Sequence, residues 1–405
     1  MHHTAHRTVT VEAHRAKVRA LLAPLADRVE TVPLRDALGR GLAADVVAPL
    51  DLPPFANSQM DGFAVRSADL PDGGAELRVA APVPAGAEPA PLVPGSAAPI
   101  MTGAMIPAGA DAVVPIEQAL PDSFPAPGAA ATVRLPGTPA GNYVRDAGSD
   151  IAAGATALAA GTFLGPGQLG LLAALGLTEV PVHAAPRVLL VTTGDEVVEP
   201  GSPLEPGRIY DANGTLLEAS LRQAGVAVTR TGISADNPDE LAQLLHRHAP
   251  EVDLVITTGG VSKGAYEVVR QALADHDVEF GPVAMQPGGP QGLGSFEGVP
   301  VLAFPGNPVS CLVSFEMFLR PVLSGLLGAP APRPVVRGRL AEALSSPEAK
   351  HQVRRGSLGP DGTVSLVGGA GSHLVHALAR SNVLVQVPAG TAALAGGDEV
   401  EVWIL

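Results

Sequence analysis

The residue types best suited to chemistry lie in Asp253-Leu-Val-Ile-Thr-Thr-Gly-Gly-Val-Ser-Lys-Gly264. The apolar run from Leu254 to Ile256 predicts a buried strand. It breaks into Thr257, Thr258, Gly259, Gly260, Ser262 and Gly264, after which Val268, Val269 and Leu273 recur near the helical period. Strand, glycine-rich turn and helix together present backbone N–H groups and a helix N-terminus to an anion. Glycine lets the backbone approach a phosphate closely, and the hydroxyls add donors. A tight strand-to-helix turn with no ligand is the alternative reading of this stretch alone.

Two other stretches repeat the pattern. Arg187 to Val191 predicts a strand running into Thr192-Thr-Gly-Asp-Glu196, and Val299 to Phe304 predicts one running into Pro305-Gly-Asn-Pro-Val-Ser310 and a long apolar helix. Between them come predicted helices from Asn213 to Gly225 and Pro238 to His248, with a strand from Val226 to Arg230 followed by Gly232-Ile-Ser-Ala-Asp236. Alternation of this kind implies a mostly parallel, doubly wound sheet. Ligands in such sheets sit beyond the C-terminal ends of the strands. Three turns converging on one edge favour a nucleotide-like pocket.

The elements around this α/β region are of other kinds. Thr10 can cap a helix carrying Val11, Val18, Leu21, Leu22 and Leu25, and a second short helix is expected near Arg35 to Leu42. From Leu50 to Ala64 a loop interleaves Phe55, Met60 and Phe63 with turn residues and offers Asp61 at its tip; closing an Asx-turn is the alternative role for Asp61. Residues 70–145 are rich in Pro, Gly and Ala and read as a small inserted β-domain holding the Thr-Gly turn at Thr102. Asn142 to Asp150 ends in a carboxylate, and Gly165 to Gly176 predicts a helix with proline in its first turn and glycine beyond its end. After the proline-rich stretch 330–334, strand-like runs at Val335 to Leu340, Val364 to Val367, Val383 to Val387 and Glu399 to Leu405 predict a compact C-terminal β-domain, with Ser372 in a glycine-rich turn.

Composition narrows the functions. The 405 residues correspond to roughly two to four domains. A formal charge of −14 argues against nucleic acid and anionic membranes as partners. It also means that any phosphate site must rely on local Lys or Arg, on helix N-termini or on divalent cations. The single cysteine, Cys311, excludes an internal disulfide and a cysteine-based metal site, as expected of a cytoplasmic protein. The first residues have no apolar core of the signal-peptide kind, and no run is expected to reach the ~18–20 apolar residues of a membrane span.

The ordered set Asn57 to Ala64, Met101 to Pro107, Arg145 to Asp150, Thr193 to Glu196, Thr258 to Ser262, Pro305 to Ser310 and Gly371 to His373 resembles the MoeA family of molybdopterin molybdenumtransferases, relatives of the gephyrin E domain. The resemblance spans nearly the whole chain. It implies a multidomain α/β plus β protein: a discontinuous, elongated helical domain (8–48 and 146–183, whose first helix may pack on the α/β domain), an inserted β-domain (49–145), a molybdopterin-binding doubly wound α/β domain (184–330) and a C-terminal β-barrel-like domain (331–405). The reaction it implies inserts molybdenum from molybdate into adenylylated molybdopterin, hydrolyses the adenylyl link and releases AMP with molybdenum cofactor. Mg²⁺ is the implied cofactor and a homodimer the implied assembly. Transient contacts with the pathway's adenylyltransferase and with molybdoenzyme acceptors follow from the same resemblance.

Placed on this chain, the resemblance makes Asp61, Thr102, Asp150, Glu196, Asp236, Glu267 and Ser372 the catalytic positions. Thr193, Gly194, Asp195, Thr258, Gly259, Gly260, Ser262, Lys263, Gly264, Arg270, Pro305, Gly306, Asn307 and Pro308 would bind substrate, and Glu196 and Glu267 the metal. A helix first-turn acid is the plain alternative for Glu196, and a solvated helix face for Glu267. The chain departs from the family pattern at Gln286, Gly289 and Pro282, where many members carry lysine. Lys263 and Arg270 are the expected substitutes, with Arg145, Arg354, Arg355 and Arg380 as further cations whose default is a solvated surface. Adenylyl transfer to molybdopterin and a non-catalytic scaffold are the competing functions.

Overall fold

The computed structural model describes residues 8–126, 130–233, 236–261 and 267–405. The chain divides into two compact units, one built from 1–44, 160–169 and 179–405, the other from 45–159 and 170–178.

The first unit is organised around a six-stranded sheet. Its spatial order is Ala227–Arg230, Arg187–Thr192, Leu254–Thr258, Val299–Phe304, Pro290–Phe296, Asp277–Pro282. The first four strands run parallel. The central strands are buried on both faces, which is why they read as unbroken apolar runs. Alternate residues feed two cores. Val188, Leu190, Leu254, Ile256, Leu302 and Phe304 pack with Leu217 and Leu221 of the Ala212–Gln223 helix and with the helix beginning at Pro308. Leu189, Val191, Val255, Val301 and Ala303 pack with Leu241 and Leu245 of the Pro238–His248 helix. Chain connections leave Arg187–Thr192 in one direction and Leu254–Thr258 in the other, so the strand order reverses between these neighbours. That switch point opens a crevice at their C-terminal ends.

The antiparallel pair Asp277–Pro282 and Pro290–Phe296 was not expected from the sequence. Its glycines hide it. A Cβ at Gly294 would sit 1.9 Å from the carbonyl oxygen of Asp277, so close pairing excludes the β-branched residues that usually announce a strand.

The first helix, Val11–Leu22, is capped by Thr10, whose side chain accepts from the Ala13 N–H at 3.1 Å. Val11, Val18 and Leu22 join the same core as the sheet, and His14 stacks edge-on against Phe318 at 4.5 Å. That core is dominated by Pro308–Leu327, a 20-residue helix of mean hydropathy 1.4. By length and composition it is long and apolar enough to cross a membrane, which corrects the expectation that no such run exists. Of that stretch, 78% is buried inside the protein, and buried Glu316 ion-pairs with Arg333 at 2.8 Å in its middle.

Residues 335–405 form a closed five-stranded barrel. His351–Leu358, Thr363–Leu366, Val335–Leu340, Glu399–Ile404 and Val383–Val387 pair in that order, and the last pairs again with the first. His351–Leu358 went unforeseen because its buried positions include Gln352 and Arg355, both 2% exposed and on opposite faces of the strand, where apolar residues would have marked it.

The second unit holds a five-stranded curled sheet in the order Ala112–Pro115, Gly62–Val65, Ser96–Ile100, Ala75–Val79, Thr132–Leu135. Phe63, Leu77, Val114 and Val133 fill one side and Ile100, Ala98 and Val113 the other.

The segments 8–48 and 146–183, expected as helical, also carry two β-ribbons: Val29–Pro33 pairs with Glu179–His183, and Val46–Val47 with Thr156–Leu158. The helix expected near Arg35 to Leu42 is a single 3₁₀ turn, Leu34–Asp36, because Gly39 at φ +78° reverses the chain.

Asp253 anchors the N-terminal end of the central strand. Arg28 pairs with it, the Arg187 side chain bonds it at 2.8 Å, and the Arg187 N–H donates at 2.8 Å. Burial opposes ionisation of this carboxyl, yet the Arg187 hydrogen bonds and the charges of Arg28 and Arg187 hold it below the usual aspartate range. A depressed carboxylate contributes stability above the ordinary pKa near ~4 and loses it as pH falls through the folded value. Asp253→Asn is therefore expected to cost about 1 kcal/mol near pH 7, limited by water reaching both arginines. In chemical denaturation the wild-type and variant curves should converge on acidification; a difference that persists at low pH would refute the account.

Candidate active site

Beyond the C-terminal edge of the sheet lies a cavity of about 970 Å³. Each parallel strand around the switch point delivers a turn to it. Arg187–Thr192 delivers Thr193, Gly194 and Glu196; Leu254–Thr258 delivers Gly259 and Gly260; Val299–Phe304 delivers Pro305, Gly306, Asn307 and Pro308. Asp236 and Glu267 come from the ends of the next two connections, and Ser372 from the barrel loop that follows residue 368.

The turns need glycine for stated reasons. Gly259 has φ +96°, and a Cβ there would sit 2.9 Å from the carbonyl oxygen of Thr193. A Cβ at Gly306 would lie 3.4 Å from the Cα of Gly259, so two strand ends meet almost backbone to backbone. Such closeness leaves main-chain N–H groups as the natural lining for an anion. Two helices start beside them. Ala212–Gln223 begins with Asp211, which caps Gly214 at 2.8 Å, and Pro308 opens the long apolar helix with proline at its first turn.

The side-chain charges are one-sided. Glu196, Asp211, Asp236 and Glu267 line the cavity, and no lysine or arginine does among the described residues. Asp211 is neutralised by Arg230 at 2.8 Å. Asp236 exchanges backbone-to-carboxylate bonds with Asp195: its N–H donates to Asp195 Oδ1 at 3.0 Å, and the Asp195 N–H donates to Asp236 Oδ2 at 3.4 Å. Desolvation raises the Asp236 carboxyl above its ordinary range. The Asp195 N–H acts against this, while the charges of Asp195, Glu196 and Glu267 push further upward. A carboxylate-rich wall of this kind is the environment a hard cation fits. No cluster of three or more His, Cys, Asp or Glu among the described residues has a metal-cage arrangement. Magnesium does not require one: it binds through one or two carboxylates plus substrate phosphates and water.

Several expected residues fall elsewhere. Thr258 is fully buried behind the wall instead of lining it. Asp195 does not line the cavity and holds the Glu196 turn to Asp236. Arg270 stacks over the Phe280 ring at 5.1 Å and does not line the cavity, so it does not stand in for a missing lysine. Ser262, Lys263 and Gly264 lie outside the described residues. Gln286 lines the cavity, whereas Gly289 and Pro282 do not; Pro282 pairs with Pro290 at the sheet edge.

In the second unit Asp61 accepts from both the N–H and the hydroxyl of Thr102, at 2.7 Å each, which lowers its carboxyl pKa. Asp150 belongs to the same unit, where its N–H donates to the carbonyl of Leu52. Arg145 donates to Asn57 Oδ1 at 3.0 Å. Arg355, expected at the surface, is 2% exposed and holds the carbonyls of Gly369 and Gly371, fixing the loop that carries Ser372. Burial, and then Arg354, lower its pKa.

Asn213, Tyr210, Pro287 and His373 line the cavity and were not foreseen. For Asn213 the available signal was position: it starts a helix one strand away from the glycine turn.

A doubly wound domain with glycine turns and carboxylates at its switch point defines a protein that grips an anionic, nucleotide-like ligand. Comparison with known proteins narrows this. Residues 9–176 match the MoeA N-terminal region (domain I and II), 189–325 a probable molybdopterin binding domain, and 337–405 the MoeA C-terminal region (domain IV). Molybdopterin molybdenumtransferase 2 of Mycobacterium tuberculosis is 45% identical over 412 residues, covering 98% of this chain and 99% of the relative. Molybdopterin molybdenumtransferase of a Nostoc species is 37% identical over 389 residues, covering 92% and 87%. A crystal structure of the MoeA protein of Pyrococcus horikoshii matches with a TM-score of 0.85 at 26% identity, covering 98% of this chain and all of that one. The chain belongs to the MoeA family of molybdopterin molybdenumtransferases, and the curled sheet and closed barrel are parts of that multidomain fold.

Two substitutions test the site geometry. Gly259→Ala must place a Cβ against Thr193 in a backbone conformation that L-residues avoid, at a cost of about 1–3 kcal/mol read from denaturation. Asp236→Asn removes a carboxylate with a raised pKa. Such a group favours the folded state below the ordinary value near ~4, and that advantage is lost as pH rises through the folded value. The variant should therefore melt above wild type at neutral pH, with the gain shrinking toward acid. Equal melting at both ends would contradict the repulsion described.

Proposed function

We propose that this chain inserts molybdenum from molybdate into adenylylated molybdopterin, with hydrolysis of the adenylyl link and release of AMP and molybdenum cofactor. The observation that carries the reading is the pairing, in one cavity, of main-chain turns with Glu196, Asp236 and Glu267 and with no described lysine or arginine in the lining. A phosphoanhydride has several anionic oxygens, and such a wall repels them unless a cation intervenes. Glu196 and Glu267 are the residues that would hold Mg²⁺; when bound it would neutralise charge on the phosphate oxygens. The glycine turns at Gly259 and Gly306 position the phosphates. Asp236 orients the attacking oxygen nucleophile, with its carboxylate or carboxylic acid form set by its neighbours. Ser372 supplies a hydroxyl donor from the opposite wall.

In this proposal Asp61, Thr102 and Asp150 serve the same reaction from the other unit, and the working assembly is a cytoplasmic homodimer. Handover contacts with the adenylyltransferase and molybdoenzyme acceptors belong to it, as does the four-domain division given above. The support for these parts is the family membership.

The test supplies adenylylated molybdopterin, molybdate and Mg²⁺ and follows AMP release and the activation of an apo-molybdoenzyme. Molybdate-dependent AMP release is expected, abolished by chelation. Glu196→Gln should slow it by about 10²–10³-fold, the usual cost of one transition-state electrostatic element. Adenylylation of molybdopterin from ATP without molybdenum incorporation would replace this reading with the other step of cofactor assembly.

A further inference from the structure

The back wall of the cavity contains a polar network that none of the assigned roles uses. Asn213, the second residue of the Ala212–Gln223 helix, donates both amide hydrogens: to Thr258 Oγ1 at 2.8 Å and to the carbonyl of Gly306 at 2.6 Å. Both acceptors fix the amide orientation, since a carbonyl can only accept. Cys311, one turn into the long helix, donates to the carbonyl of Pro305 at 2.7 Å and approaches Thr258 Oγ1 at 3.4 Å. Thr258 in turn accepts at its own carbonyl from the N–H and hydroxyl of Thr193, at 3.1 and 3.3 Å. Thr258 thus links the three strand ends in two ways: its carbonyl holds Thr193, and its hydroxyl reaches the Pro305–Gly306 turn through Asn213 and Cys311. Beside it, a Cβ added at Gly306 would meet the Cα of Gly259 at 3.4 Å, so the two turns leave no room for a side chain between them.

We infer that Asn213, acting through Thr258 and Cys311, is a positioning residue that sets the spacing of the Gly259–Gly260 and Pro305–Asn307 turns and so the grip on substrate phosphate. Two glycine turns have little side-chain packing to hold them, because the residues that would pack are absent by necessity. Besides the backbone bond from the Gly259 N–H to the Phe304 carbonyl at 3.2 Å, hydrogen bonds from behind fix their separation. Among the described residues Asn213 is the side chain that holds the Gly306 carbonyl, and its Oδ1 is buried without a partner, so the donor pair accounts for its placement. Burial pushes the Cys311 thiol up to about 12, so it stays protonated and serves as a donor, not as a nucleophile. The inference rests on the proposed function only for the identity of the ligand gripped.

The experiment measures amide hydrogen exchange across Gly259–Val261 and Gly306–Asn307 in the full chain, together with AMP affinity by calorimetry. Asn213→Ala and Thr258→Val are expected to speed exchange at both turns about tenfold or more while Leu254–Ile256 stays protected. Thr258→Ser, which keeps the hydroxyl, should restore the protection that Thr258→Val loses. With the true substrate, KM should rise about tenfold in Asn213→Ala and kcat change by less than about twofold, the signature of lost ground-state grip. If Asn213→Ala does not fold, the Thr258 pair decides. Unchanged exchange at the turns would overturn the inference. Faster exchange with unchanged AMP affinity would overturn the link from turn spacing to phosphate grip, whereas a wild-type chain that binds no AMP would count against the proposed function instead.

Discussion

Electrostatic repulsion at the edge of one sheet is the constraint from which the rest follows. Glu196, Asp236 and Glu267 converge where two strand connections diverge, and their mutual charge raises the carboxyl of Asp236. A folded protein tolerates such a cluster only where water or a cation relieves it. The cluster is placed at the sheet's switch point because that is the one place where parallel strands leave an open crevice. The turn residues must then be small, since the same crevice has to admit a ligand to the main chain. Glycine at Gly259 and Gly306 is a consequence of position as much as of chemistry.

Rigid support compensates for the lack of packing at the crevice. The strands beneath are buried on both faces, and alternate residues serve two separate cores. The long helix that starts at Pro308 runs directly from the cavity wall into the larger core, where Phe315, Phe318 and Leu319 are fully buried. Any shift of its first turn would therefore have to move a close-packed interior, which resists small displacements. The site's mobile-looking glycines are thus mounted on the least deformable part of the molecule.

Much of this was legible in the chain because burial on both faces writes a continuous apolar run, as at Leu254 to Ile256, and because each run ends in a turn of unusual composition. A pocket at the C-terminal edge of the sheet followed from those two features; its place at the switch point needed the strand order. What stayed hidden had specific physical causes. The antiparallel edge at Asp277–Pro282 and Pro290–Phe296 is built by close backbone approach at glycine, which erases the β-branched signal. The His351–Leu358 strand buries Gln352 on one face and Arg355 on the other, so it shows no apolar alternation. Arg270 looked like a phosphate cation because charge counts say nothing about direction; the Phe280 ring lies within its reach and captures it. Asn213 was invisible because its importance lies in two long-range hydrogen bonds, and no local pattern marks them.

Arg355 shows how a buried cation can shape the site without lining it. It is 2% exposed, and its guanidinium donates to the carbonyls of Gly369 and Gly371. Carbonyl dipoles satisfy hydrogen bonds but leave the net charge in place. Among the described residues no carboxylate pairs with this guanidinium at ion-pair distance. Burial and Arg354 both disfavour its charge, yet an arginine with an intrinsic pKa above ~12 keeps its proton at any physiological pH. A positive charge therefore remains behind the loop that brings Ser372 to the cavity. In a low-dielectric surround its field decays slowly. Arg355 thus adds one buried positive charge behind a cavity whose described lining carries carboxylates and no lysine or arginine.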